Sequence, residues 1–546
     1  MFIICIAVIS FKFAKIKAKM KRTILVTVFF LLCNHFINAQ QSVLTWGELS
    51  NAELSFNSFV KGSGSDMIKL CFDTKKGGLF SQPLVTPIFV RYDSKLQEKK
   101  TEVFKADEKD LNFDKVLSIK GKLYMFTHKY DKGSKATAYQ CTPIDIITLK
   151  ATGSAIDLGT FDAISKSRQS TVQYKLSADS SKLIMFGLSP FSKKDNEKYY
   201  MGVYDDNMNK LWDKTVELPY KDKFVTILDN LVTNDGRVGV ILKHYDQEVS
   251  SESIKENGER IPAYKTKLLL YEKEVATPYE YIIDINNKFV HSLHLTDDKA
   301  TTMNLFGLYK EKYNGHVNGF FTASINLITH KIETSNTLEF PLELVELVNK
   351  DRQGSDKEKD PGFEAAFGYV QTIYRSDGSK DYLLEFRQQL LHEYRDTRGY
   401  SYSYWEFRNG DIIDISVKTD GRYVICRIPK MQDLNNTRNY NGFKALTYND
   451  KLVVYYNDNE DNVNRELTKK PETMGNADKC VFMMATVDAT GHLNRNIVFN
   501  HKEVKLTVAT NECFLLDEQH LGIYAIKTGG VFFTSAKDMV GMLELK

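Results

Sequence analysis

Tyr200-Met201-Gly202-Val203-Tyr204-Asp205-Asp206-Asn207-Met208-Asn209-Lys210-Leu211-Trp212 is the stretch whose reading decides the fold. An alternating apolar run enters an Asp/Asn cluster and leaves it through Leu211 and Trp212. Asp and Asn bond their own backbone and tolerate left-handed conformations, so the stretch predicts a β-hairpin. Comparable outer hairpins read out at residues 90–96, 324–330, 417–423 and 487–493.

Each outer hairpin is preceded by an inner one with its own turn. These turns are Lys120-Gly121-Lys122, Asp179-Ser180-Ser181, Asn234-Asp235-Gly236, Asp297-Asp298-Lys299, Ser376-Asp377-Gly378, Asn449-Asp450-Lys451 and Asp517-Glu518-Gln519. They recur about every 55 to 80 residues, longer than tightly coded propeller repeats, and variable blade loops absorb the difference. Four short strands per unit, with no helical periodicity between them, predict an all-β chain: a single β-propeller of seven four-stranded blades. Residues 68–104 show mainly outer strands, and residues 512–526 supply an inner hairpin without its outer pair. The N- and C-terminal strands are therefore expected to pair and close one shared blade. Six or eight blades, or tandem β-sandwiches, are the alternatives; residues 349–362 are the best linker for the latter and read as an interblade loop.

The first forty residues hold no acid but six bases, Lys12, Lys15, Lys17, Lys19, Lys21 and Arg22. Without them the 73 basic and 70 acidic residues become 67 against 70, a near-neutral chain with no electrostatic footprint for nucleic acid. From Met20, Lys21-Arg22, the apolar run 24–32 and Ile37-Asn38-Ala39-Gln40 match a cleavable signal peptide. The reading is a leader over 1–39 with its true start at Met20, and a propeller over 42–546. Export follows, to the periplasm or cell surface or beyond the cell. Cys33 is preceded by Leu32 rather than a small residue, so lipid attachment is not assigned. No later segment has the roughly 20 apolar residues of a spanning helix. Cys71, Cys141, Cys426, Cys480 and Cys513 remain in the mature chain, scattered and odd in number, so no disulfide framework holds the fold.

Chemistry is sparse. There is no GxSxG elbow, phosphate loop or dinucleotide fingerprint, and no cofactor is assigned. His392-Glu393 opens like a zinc-protease helix, but Asp396 stands where the second histidine belongs. Asp458, Glu460 and Asn462 place oxygens at alternating positions, as a calcium loop does, yet Val463 replaces the turn glycine and Lys469 the bidentate glutamate. Glu385 is the one catalytic candidate, a carboxylate inside the apolar strand Tyr382-Leu383-Leu384-Glu385-Phe386. It must find a partner or face the axis, and Arg387 and Arg427 are the expected partners. Tyr400, Tyr402 and Tyr404, sharing one face, and the adjacent Trp405 form an aromatic cluster fit for a sugar or protein, or for cross-strand packing. Arg427, Lys430, Gln432, Asn457 and Asp458 complete the binding candidates. Lys430 and Gln432 share a face and read as loop anchors more readily than as ligand groups.

Leu384-Glu385-Phe386, Gly410-Asp411-Ile412-Ile413-Asp414-Ile415, Arg427-Ile428-Pro429-Lys430-Met431-Gln432 and Tyr456-Asn457-Asp458-Asn459-Glu460-Asp461-Asn462 resemble, in this order, elements of a group of uncharacterised exported β-propeller-like proteins of Bacteroidota. The likeness covers about a hundred residues. It implies the same fold and compartment and transfers no catalytic residue. At Phe386, Arg387 and Gln388 the chain departs from the Gln-Tyr-Tyr commoner in that group.

The expected function is a noncatalytic binding or scaffold propeller of the cell envelope that recognises a protein or glycan. The alternative is a secreted or periplasmic hydrolase or lyase with its carboxylates at the propeller axis. Whether the chain is an enzyme stays open, with the noncatalytic reading leading. No motif specifies the ligand or the oligomeric state.

Overall fold

A computed structural model describes residues 42–51, 55–75, 84–104, 111–246, 252–299, 301–350, 361–395, 401–527 and 537–546. The leader, with Met20 and Cys33, lies outside them, as does Tyr400. Among the described residues the strands form eight successive antiparallel sheets of four or five strands, here called blades 1 to 8, and one separate two-stranded hairpin, Ser253–Glu256 with Glu259–Pro262. Blade 1 comprises Ser55–Lys61, Met67–Lys75, Leu84–Tyr92 and Glu98–Val103. Blades 2 to 5 begin at Leu111–Ile119, Thr171–Leu176, Val225–Val232 and Phe289–Lys299, and blades 6 and 7 at Phe367–Tyr374 and Phe443–Tyr448. Blade 8 takes Thr507–Val508, Phe514–Leu515, His520–Lys527 and Lys537–Leu545 from the carboxyl end, and Ser42–Asn51 from the amino end as its outermost strand.

The blades form a closed ring because each packs on both of its neighbours. Eight apolar clusters lie between consecutive blades, from Leu70 and Phe89 against Leu123 and Met125 (blades 1 and 2) to Tyr524, Val540 and Met542 against Met67 and Val90 (blades 8 and 1). Tandem sandwiches, in which each sheet has one packed face, are thereby excluded. The same geometry explains the sequence pattern. Second strands such as Lys182–Leu188 are covered on both faces and read as unbroken apolar runs, whereas the outer strand Lys331–Glu339 is almost wholly exposed. Each fully buried Leu or Phe contributes roughly 1.5–3 kcal/mol.

First strands of neighbouring blades touch one another and so ring the axis. First-to-second turns lie on one face of the ring, here the lower, and second-to-third connections on the upper. The deciding stretch supplies an interblade lock. Trp212 donates its indole N–H to the carbonyl of Gly236 at 3.0 Å, at the turn of blade 4, where φ of +90° calls for glycine.

The blade count is eight, one more than the seven inner turns read from the sequence. All seven inner hairpins are present, although Asp297-Asp298-Lys299 ends the first strand of blade 5 and the chain reverses only after it; the eighth closes on residues 62–66, where Gly62 N–H bonds the Asp66 carbonyl at 2.8 Å. Its first strand, Ser55–Lys61, carries Ser and Asn among its few apolar residues and did not declare itself. The amino end therefore builds a full blade of its own. The termini still close the ring: Ser42–Asn51 pairs antiparallel with Lys537–Leu545. Behind this seam Lys69 of blade 1 is buried 2.5 Å from Asp538 of blade 8, whose carboxylate also accepts from Tyr524 and Ser50.

Residues 349–362 do not divide the chain, since Phe340, Val345, Val348 and Phe363 on either side join one core between blades 5 and 6. All five cysteines are buried and free. Among the described residues no helix is long and apolar enough to cross a membrane.

Candidate functional site

Blade 6 carries the two longest strands, Lys380–Arg395 and Ser401–Val417, and their hairpin overshoots the sheet on the upper face. A bulge between Glu385 and Arg387 marks where the sheet proper ends. The fourth strand, Tyr423–Ile428, stops before Pro429, which has no N–H for the ladder. The chain then turns inward, and Gln432–Asn435 returns to pair with Glu406–Asn409 of the hairpin.

This path brings Lys430 onto Glu385. Lys430 Nζ lies 2.7 Å from Glu385 Oε1 and neither side chain is exposed, while Arg387 donates to Oε2 from the solvent side. Burial alone pushes the Glu385 carboxyl up; the charges of Lys430 and Arg387 and their hydrogen bonds overcome that and hold it below the ordinary carboxylate range. Arg387 is thus a partner as expected. Arg427 is not: its Nε donates to Asp411 at 2.9 Å and its Nη1 to the Leu467 carbonyl at 2.7 Å.

Gln432 ties the network to blade 7. Its Oε1 accepts from Lys430 Nζ at 3.0 Å and Gly442 N–H at 2.8 Å, and its Nε2 donates to the Asn457 carbonyl at 2.8 Å. Asn457 in turn donates to the carbonyls of Tyr440 and Val508. Lys430 and Gln432 are anchors, and Asn457 and Asp458, wholly buried, hold the blades rather than face a ligand.

The calcium reading of Asp458, Glu460 and Asn462 is corrected. The Asn462 amide turns its NH₂ toward Asp458 Oδ1 at 2.8 Å, and its carbonyl oxygen accepts from Glu472 N–H at 2.7 Å, so the oxygens do not converge. Asp458 Oδ2 has no partner, and burial pushes this carboxyl up to about 7.

In front of the network lies a cavity of about 490 Å³ whose walls include Phe386, Gln388, Arg408, Asn409, Asp433 and Lys470. Lys430 and Gln432 border it but expose no surface, so they form its backing. Arg408 bonds Glu406 at 2.6 Å and lies 3.3 Å from Asp433, and His392 reaches Glu406 at 2.5 Å. Burial and the neighbouring Glu406 carboxylate push Asp433 up; Glu406, despite its burial, is held down by hydrogen bonds from His392, Asp433 and Arg408. Sequence reasoning missed Glu406, Arg408 and Asp433. Their one signal was Glu406 and Arg408 two apart, hence on one strand face. His392 lies on a strand, not on a zinc-binding helix.

The aromatic cluster sits on the overshooting hairpin. Tyr402 and Trp405 are 46% and 42% exposed; Tyr404 is half-buried and stacks on His392 with ring centroids 4.8 Å apart. Tyr402 and Tyr404 share a face as expected, and Trp405 points the other way, directly across from the exposed Leu391.

Neither a family model nor a curated protein matches the chain. It is similar in fold to solved propellers at low identity. The β-propeller domain of the Trilobed protease from Pyrococcus furiosus is 10% identical, with a TM-score of 0.36 over 82% of this chain and 99% of that one. Quinohemoprotein alcohol dehydrogenase ADHIIG from Pseudomonas putida HK5 is 10% identical, with a TM-score of 0.40 over 92% of this chain and 76% of that one. The WD40 domain of SCAP from fission yeast is 7% identical, with a TM-score of 0.35 over 93% and 94%. The assignment of the fold rests on the eight sheets and their eight cores; no activity passes from these proteins to this chain.

Proposed function

We propose that the chain is an exported, noncatalytic binding propeller of the cell envelope, which recognises a protein or glycan through the cleft beside the blade 6 hairpin. The observation that carries this reading is the state of Glu385. A carboxylate with no exposed surface, clamped by Lys430 and Arg387, neither reaches a substrate nor holds a proton to donate. Around it the charged groups are committed in pairs, which suits a rigid wall better than a proton-transfer site. The half-exposed Arg408, Gln388 and Asn409 and the exposed Lys470 offer polar contacts, and the exposed rings of Tyr402 and Trp405, on opposite faces of the same hairpin, offer stacking contacts of the kind used for sugars and protein loops. The leader supports export.

The test is affinity electrophoresis of the mature chain through gels containing neutral and acidic envelope polysaccharides, with a parallel overlay on envelope proteins. Retardation by one component, lost in Arg408→Ala and Lys470→Ala variants with unchanged melting, is expected. Turnover of any component abolished by Glu385→Gln would favour the hydrolase or lyase reading instead. The subcellular site is checked by fractionating native cells and sequencing the mature amino terminus, expected at Gln40.

A further inference from the structure

A second cavity, of about 580 Å³, opens between blades 2 and 3, four blades around the ring from the cleft. Its chemistry comes from the strands lining the axis. A bulge between Phe113 and Lys115 releases Asp114 from the ladder of blade 2. Asp114 Oδ1 accepts from Nδ1 of His128 on the second strand at 2.5 Å, and Oδ2 accepts from the Tyr174 hydroxyl of blade 3 at 3.3 Å. The imidazole is thereby fixed by one nitrogen, and Nε2 is left for a ligand.

Two lysines border this space and they differ. Lys175 is committed, 2.5 Å from Asp229 Oδ1 and bonded to the Asn230 carbonyl at 2.9 Å. Lys115 has no ion-pair partner among the described residues. Its side chain is exposed, yet it stands in a concavity whose walls lower its ammonium pKa by desolvation. A cation at the mouth of a polar cavity, left without a counter-charge, is an anchor for an anion.

We propose that this cavity is a ligand site for a carboxylated sugar, a uronic acid residue of an acidic glycan. The carboxylate bonds Lys115, and a sugar hydroxyl donates to His128 Nε2, the acceptor nitrogen of a ring whose Nδ1–H is turned to Asp114. Further ring hydroxyls bond the Gln173 amide and the Tyr174 hydroxyl, and the Tyr174 ring borders the sugar. A monoanion suits the site better than a phosphate dianion, because one uncommitted cation stands beside the Asp114 carboxylate and a second negative charge has no partner there. The volume lies within the roughly 300–1,000 Å³ of small-ligand sites. This inference does not rest on the cleft of blade 6.

Isothermal titration of the mature chain with trigalacturonate is the test, with galactotriose, triglutamate and inorganic phosphate as parallel titrants. Saturable binding of trigalacturonate is expected, with galactotriose at least tenfold weaker. Lys115→Ala should weaken trigalacturonate at least tenfold, Lys115→Arg should restore most of it, and Lys331→Ala on the exposed outer strand of blade 5 should leave it unchanged. Lys115 is exposed, so its removal leaves the fold intact, which melting verifies. The proposal is overturned by equal affinity for galactotriose, by tighter binding of triglutamate or phosphate, by a Lys115→Ala titration like that of the parent, or by no heat at millimolar trigalacturonate.

Discussion

Lys430 Nζ and Glu385 Oε1 stand 2.7 Å apart, 45 residues apart in sequence, with neither side chain exposed to solvent. A buried pair of this kind is weak evidence for net stability, but removing one partner strands the other charge. Lys430→Met or Glu385→Leu alone is therefore expected to cost about 3–5 kcal/mol, whereas the two combined are expected to restore much of that loss. Urea unfolding of the two single variants and the double variant measures the coupling. Additive losses would show the two groups to be independent.

The seam of the ring makes a second prediction. Asp538 holds Lys69 across blades 8 and 1, and both are buried. Asp538→Ala should destabilise by about 3–5 kcal/mol. Deleting residues 42–51 uncovers the edge of Lys537–Leu545 and should yield chains that associate through it. Size-exclusion chromatography with light scattering checks the second outcome; a monodisperse truncated chain with parental melting contradicts it.

The contribution of Asp458 to stability should fall as pH rises above about 4. Asp458 titrates near 7 in the folded chain because burial disfavours its charge, and an unfolded aspartate near 3.9. Between these values the folded state binds the extra proton, so its stabilising effect is complete below the unfolded pKa and lost as pH climbs through the folded one. Glu197, raised to about 8 by burial and the Asp222 carboxylate, acts in the same direction. Asp458→Asn should remove part of the slope, up to about 4 kcal/mol, and adding Glu197→Gln should flatten it further. Melting between pH 4 and 9 decides.

The five free cysteines should resist thiol reagents in the native chain. All are buried, and desolvation raises their thiols, Cys71 to about 11 and Cys141 to about 12. A colorimetric count should find essentially none before denaturation and all five after it.

Most of the fold was legible because a propeller repeats its punctuation. Seven inner turns carry the Asp, Asn, Gly and Ser that turn geometry demands, and Lys182–Leu188 shows the unbroken apolar run of a strand covered on both faces. The eighth blade escaped because Ser55–Lys61 is a weak strand and its turn at residues 62–66 lies close to the chain start. The strip from Glu385 to Asn462 was legible as a place but not as a network. Glu385 was bound to find a cation, yet nothing in the order of residues favours Lys430 over Arg427, since that choice depends on how far the chain turns inward after Pro429. The spacing of Asp458, Glu460 and Asn462 suggested a metal because the direction of an amide is set by its partner, here Glu472 N–H. Asp114 and His128, on neighbouring strands joined across a bulge, have no sequence signature at all.

The central claim is that the upper-face cleft binds without turning its ligand over. The direct measurement is to incubate the mature chain with the envelope polysaccharide that retards it, and to read both retention and the chain length of the recovered polysaccharide. The account predicts retention that depends on Arg408 and Lys470, with the polysaccharide recovered at its original length. Shortened or unsaturated products that disappear with Glu385→Gln would contradict it.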